Sequence, residues 1–246
     1  MAAWAALGVP LALQNRECHG KDLDLRGRRP IIESSSDDLC AFIRSNLPLV
    51  PVPSVPAVKV YKAGPRSGLS RLAEADDAFQ NPYWAYHWGG GLALARHVLD
   101  NPRTVAGKRV LDLGSGSGVV GIAAMKAGAA YVLASDVDRY AIAAVAMNAE
   151  ANGANIDPLH ADLTERAPPD VDVVLVGDLF YEKALAERVT AFLDRCVAAS
   201  MNVLVGDPWR AFLPRERLEL LAEYPGGDFG SGAASELAMN AVFAFR

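Results

Sequence analysis

Cysteine, histidine and long apolar runs are what this chain has least of. Its 246 residues hold 3 cysteines and 4 histidines. Cys18, Cys40 and Cys196 lie far apart and form no C-x-x-C pair. That spacing argues against structural zinc and against a disulfide framework, so a reducing compartment and a cytoplasmic location are expected. The histidines show no metal-ligand spacing, and no metal site is expected. No apolar stretch reaches the roughly eighteen residues that span a bilayer, so no membrane association is expected. Pro10 breaks the apolar Ala2–Leu13, no Lys or Arg precedes it, and a secretory signal is not expected. Basic residues cluster only at Arg26-Gly27-Arg28-Arg29, and the net charge is −5. Phosphate binding needs a clustered basic surface, so nucleic acid is not the expected partner.

What is present is a globular composition, 51% hydrophobic and 22% charged. Residues 1–36 read as a poorly ordered extension, 37–107 as a helical cap segment leading into the fold, and 108–246 as the core. In the cap, Asp37 or Asp38 starts a short helix with Leu39, Phe42 and Ile43 on its apolar face. Pro48, Pro51, Pro53 and Pro56 imply an extended connector. Val58–Tyr61 alternates like a strand, and a helix is expected over Ser70–Phe79. The aromatic stretch Tyr83-Trp84-Ala85-Tyr86-His87-Trp88 precedes Gly89-Gly90-Gly91, read as a hinge ahead of a helix over Leu92–Leu99. These aromatics either plug the core or wall a pocket, and Trp88 is expected nearest the glycine turn described next.

Val110–Leu113 is an apolar run that passes into Gly114-Ser115-Gly116-Ser117-Gly118. Glycine permits tight turns and lets a ligand approach backbone without a Cβ in the way. A helix starting near Ser117 would present unpaired N–H groups and a positive dipole end. Strand, glycine turn and helix together form a nucleotide-binding corner. Gly116–Gly121 satisfies G-x-G-x-x-G, with Asp136 about twenty residues on, as a nicotinamide or flavin dinucleotide site requires. Asp112 inside the strand and the extra Gly114 favour a different form. D-x-G-x-G-x-G resembles the motif of S-adenosyl-L-methionine-dependent methyltransferases.

Beyond this turn, strands and helices alternate, which is the signature of a parallel α/β sheet. Strands are read at Ala130–Ser135, Ile156–His160, Val171–Gly177, Met201–Gly206 and Ala241–Arg246. One helix has Asp138 as its cap and Ile142, Val145, Ala146 and Ala149 as its face. A second carries Leu185, Val189, Phe192, Leu193 and Cys196, and a third is expected around Arg215–Glu223. Ligands of such sheets sit beyond the carboxyl ends of the strands. Those ends carry Asp112, Asp136, Asp162 and Asp178. Asp136 is read as the acceptor for both ribose hydroxyls, and Asp162 as the acceptor for the adenine amino group or a helix cap. Asp112 would hold the turn or meet the methionyl ammonium. Asp178, if not merely a helix cap, would accept a hydrogen bond from the attacking amine.

Pro82-Tyr83-Trp84-Ala85, Leu111–Gly118, the D-x-x-Y motif Asp178–Tyr181, Gly206-Asp207-Pro208 and Leu213-Pro214 carry a narrower likeness. From about Asp38 to Arg246 the chain resembles the seven-β-strand lysine methyltransferases, in particular the electron-transfer-flavoprotein β-subunit group. That family more often has glycine where Trp209 stands, and residues 1–36 have no counterpart in it. The resemblance implies a Rossmann-like class I sheet of order 3-2-1-4-5-7-6 with the last strand antiparallel. It implies cofactor contacts at Trp88, Asp112, Gly114, Ser115, Gly116, Gly118, Asp136, Val137, Asp162, Leu163 and Asp178. Asp178 and Tyr181 would be catalytic, with Phe180 beside Tyr181 walling the acceptor channel, and the partner would be the flavoprotein β subunit. Free lysine has a pKa near 10.4; an apolar channel lowers it, whereas a carboxylate alone raises it. A methyltransferase of ribosomal proteins or small molecules, a nicotinamide-dependent oxidoreductase and an inactive binding module are the alternatives. The absence of an N-P-P-Y-type loop argues against amide and base-amine acceptors.

Overall fold

The computed structural model describes residues 36–76, 79, 81–227 and 238–246. The expected extension 1–36, and Cys18 with it, falls almost wholly outside them. Helix α1 (Ser36–Asn46) buries Leu39 and Ile43 as its spacing predicts. The proline-rich segment is more than a connector. β1 (Leu49–Val52) and β2 (Val55–Tyr61) pair antiparallel, with an irregularity at Pro51/Val52. Proline lacks a ladder donor, and this two-stranded edge tolerates it. Helix α2 covers Ser70–Ala75 only.

Helix α3 (Gly89–Asp100) differs instructively from the reading above. The three glycines are its first turn, not a hinge before it. β3 (Arg109–Leu113), α4 (Val119–Lys126), β4 (Tyr131–Asp136), α5 (Arg139–Asn152) and β5 (Asp157–His160) follow. After them come β6 (Val173–Gly177), α6 (Lys183–Ala198) and β7 (Asn202–Asp207). The helix expected around Arg215–Glu223 is a 3-10 turn at Arg215–Arg217 followed by β8 (Leu218–Pro225). Its apolar residues suit either period, and pairing with β9 (Met239–Phe245) decides the matter.

The seven strands run β5-β4-β3-β6-β7-β9-β8, and β9 is antiparallel to both its neighbours. Numbered within the sheet, this is 3-2-1-4-5-7-6. Alternation along each strand sorts the core. Val110, Val132, Val173 and Leu175 pack beneath α3, α4 and α5, while Leu111, Leu113, Val174 and Val176 meet α6. On α6, Val189, Phe192, Leu193 and Cys196 of the predicted stripe are buried and Leu185 is half-buried; burial pushes the Cys196 thiol up to about 12. On α5, Ala146 is exposed instead, while Ala143, Ala144 and Met147 are buried, because α1 and the aromatic segment cover a second side. No described helix is long and apolar enough to cross a membrane.

Candidate functional site

The glycine turn closes on itself and on β4. Gly118 N–H donates to the Ser115 carbonyl at 2.7 Å, and Ser115 N–H donates to the Ser135 carbonyl at 3.0 Å. Gly114 and Gly116 have φ of 66° and 52°, a region that penalises any side chain. At Gly114 a Cβ would also come within 2.6 Å of the Leu179 side chain, so strand β6's exit packs directly on the turn. Gly118, predicted to touch the cofactor, caps α4 with a φ of 76° and packs on Val145. Asn148 is a contact that sequence reasoning missed. Fully buried on α5, it donates to the Ser117 carbonyl at 2.8 Å and accepts from Tyr61 N–H at 2.8 Å. The hairpin, the helix and the turn are thereby fastened together.

Beyond the strand ends lies one cleft of about 1000 Å³. It brings together Trp88, Asp112, Gly114, Ser115, Gly116, Asp136, Val137, Asp162, Leu163, Asp178 and Tyr181, all predicted from sequence. Asp112 is 1% exposed and accepts from Gly121 N–H at 2.8 Å, so it holds α4 onto β3. Burial pushes its carboxyl up to about 7 against that hydrogen bond. Asp136 accepts from Gly116 N–H at 2.8 Å and Asp138 N–H at 3.0 Å, and burial outweighs these to raise its pKa. A carboxylate offers about four acceptor positions, so capacity for ribose hydroxyls remains. Asp162 caps its own turn, accepting from the Thr164 N–H and hydroxyl at 2.8 and 2.6 Å. Val137 is the exposed wall and Leu163 the buried one.

The aromatic segment contributes both core and wall. Trp84 is buried, and its Cα would lie 3.8 Å from a Cβ on Gly116. Trp84 is therefore what reaches the glycine turn. Trp88 stands further along, donating to the Tyr83 carbonyl at 2.8 Å, with the Arg210 guanidinium 5.8 Å over its ring. His87 also lines the cleft; burial, aided by the Lys62 charge, lowers its pKa to about 4, so it is neutral at pH 7.

The D-x-x-Y motif divides its work between core and cleft. Phe180 is fully buried against α6, so it is core rather than channel wall. Tyr181 is 46% exposed and faces Tyr83, ring centroids 5.7 Å apart. Asp178 has a φ of 59° and is nearly buried. Its Oδ1 accepts from Gly90 N–H at 3.1 Å and its Oδ2 from Gly91 N–H at 2.5 Å. It is thus a cap for α3, the preceding helix, rather than for the one that follows. Arg210 Nη2 completes the group at 3.0 Å from Oδ1. Arg210 went unnoticed in the sequence because no spacing links it to position 178. Among the described residues no His/Cys/Asp/Glu cluster is placed to hold a metal ion.

Comparison with known proteins agrees with this geometry. The family model described as ribosomal protein L11 methyltransferase (PrmA) matches residues 93–197. Proteins named electron transfer flavoprotein beta subunit lysine methyltransferase are similar over longer stretches. The Xenopus laevis protein is 37% identical over 76% of this chain and 79% of its own length. The Danio rerio protein is 38% identical over 72% and 70%. The Rattus norvegicus protein is 42% identical over 59% of this chain, a match spanning 60% of that relative. A crystal structure of a Pyrococcus horikoshii protein superposes with a TM-score of 0.50 at 18% identity. It covers 74% of this chain and 98% of that one, and supports the fold alone. A glycine turn freed of side chains, acceptors at adjacent strand ends and an apolar wall fit S-adenosylmethionine. With the relatives' coverage, they identify a member of the electron transfer flavoprotein beta subunit lysine methyltransferase family, an S-adenosylmethionine-dependent methyltransferase.

Proposed function

We propose that this enzyme methylates a lysine side chain of the electron transfer flavoprotein β subunit. The observation that carries the reading is the half-exposed Tyr181–Tyr83 pair, which borders the cleft one strand from the glycine turn. Two aromatic faces suit the methylene stem of a lysine, whose charged end otherwise prefers water. When bound, S-adenosylmethionine supplies a methyl group on a cationic sulfur. Asp136, Asp162 and the turn's N–H groups would hold its nucleoside end, with Val137 and Leu163 beside the base. Tyr83 and Tyr181 exclude water from the incoming stem, and that desolvation favours the neutral amine. Asp178 acts mainly as a positioning residue. Most of its acceptor capacity is committed to α3 and Arg210, which aligns the acceptor wall with the turn.

A reducing compartment, the cytoplasm on composition, is part of the same reading; the wide spacing of the three cysteines supports it. The test uses the purified β subunit with methyl-labelled S-adenosylmethionine, followed by peptide mass spectrometry. Label on a lysine that falls with Tyr181→Ala is expected. Label on other residue types, or none, would refute the reading. Ribosomal protein L11 belongs in the same assay because of the matched family model; preferential label there would move the assignment to that acceptor.

A further inference from the structure

The acceptor wall contains an electrostatic conflict. A carboxylate beside the entering lysine would hold it as the ammonium, which has no lone pair to give. Asp178 lies in that wall, yet it does not stand as a lone anion. Arg210, from the loop after β7, places Nη2 3.0 Å from its Oδ1, and the two side chains are only 20% and 10% exposed. A guanidinium stays protonated at every physiological pH, so this compensation is permanent.

The loop is built to keep it there. Arg210 N–H donates to Asp207 Oδ1 at 2.6 Å, and Trp209 before it takes a φ of 67°, strained for a non-glycine residue. Trp88 covers the guanidinium from the other side. Asp207 from β7 senses the charge of both members of the pair and Tyr181 senses Arg210, while Tyr83 before α3, Asp136 from β4 and Glu182 after β6 act on Tyr181 in turn. Arg210 is the cation in hydrogen-bond contact with Asp178 among them.

We propose that Arg210 is a positioning residue for methyl transfer. By cancelling the charge of Asp178, it lets the target lysine occupy the Tyr83–Tyr181 slot as the neutral amine. The ammonium proton passes to water as the stem enters. The inference rests on the lysine-acceptor reading above.

The test is the pH dependence of single-turnover methylation of the flavoprotein β subunit by the full chain. The rate should rise with pH as the bound lysine deprotonates. Arg210→Gln keeps a donor to Asp178 without the charge, and should move this limb upward by one pH unit or more. At a fixed pH below the limb that is a tenfold or greater loss, recovered by raising the pH. Arg210→Lys should keep the limb at its wild-type position. Arg210→Gln with Asp178→Asn should return it there, whatever the absolute rate. A limb unmoved in Arg210→Gln, or moved equally in Arg210→Lys, overturns the proposal while leaving lysine methylation intact. Wild-type enzyme that labels no lysine overturns both.

Discussion

Gly90→Ala adds one methyl group and should unfold this protein on the order of 10 °C earlier, while Gly91→Ala should be neutral or raise the Tm by about 2–4 °C. At Gly90 a Cβ would stand 2.3 Å from the Gly206 carbonyl oxygen and 2.8 Å from Asp207 Cα. Carbon contacts settle near 3.5 Å, so α3 must lift by about 1 Å. The obstacle is backbone and cannot rotate away: Gly206 O accepts from Asp178 N–H at 3.0 Å, and Gly206 pairs with Gly177 and Val242. Overpacking of this kind costs about 1–3 kcal/mol. Lifting α3 also stretches its two N–H bonds to Asp178, and hydrogen bonds to charged groups contribute about 1.5–3 kcal/mol each. Against this stands the helix propensity of alanine over glycine, about 1 kcal/mol. The net is about 2–4 kcal/mol, and a chain of this length loses about 2–4 °C per kcal/mol. At Gly91 the nearest atoms to a Cβ are Asp178 Oδ2 at 3.5 Å and a Val120 methyl at 3.9 Å, ordinary contacts. Scanning calorimetry on both variants decides. A Gly90→Ala Tm within 1–2 °C of wild type, or Gly91→Ala falling equally far, would refute the backbone-packing explanation.

Three further outcomes are expected. Burial raises the Asp112 pKa to about 7. Its contribution is therefore complete below the unfolded value and lost as pH rises through about 7. Asp112→Asn, which can still accept from Gly121, should gain on wild type between pH 5 and pH 8.5 by on the order of 2–4 kcal/mol in urea unfolding; a pH-independent difference would contradict the buried-charge account. Asp136→Ala removes the acceptor for Gly116 and Asp138 N–H and for the ribose, so calorimetry should show S-adenosylhomocysteine affinity reduced at least about tenfold. An unchanged Kd would sink that role. Phe180→Ala should cost about 3–5 kcal/mol in chemical denaturation, whereas Tyr181→Ala, half exposed, should stay within about 1 kcal/mol while slowing methylation about tenfold; the reverse pattern would mean the motif's two aromatics are misassigned.

The sequence by itself determined whatever depends on neighbours along the chain. Gly114–Gly118 needs positive φ at alternate residues, and that requirement is written into residue type. The regular β/α alternation, the α6 stripe and acids at four successive strand ends are equally local, and they sufficed for the sheet, the cofactor class and most of the cleft wall. Tertiary structure decided what depends on a partner. Leu218–Pro225 is a strand because β9 needs a neighbour, although its apolar spacing also suits a helix. Gly89–Gly91 is a helix because Asp178 supplies acceptors to its first turn and Gly206 leaves it room. Phe180 and Tyr181 are adjacent aromatics, and only the position of α6 sends one to the core and the other to the cleft. Arg210 reaches Asp178 across 32 residues, a separation no periodicity encodes. Local backbone demands leave a mark on the sequence, whereas the pairing of distant charges leaves none until the chain has folded.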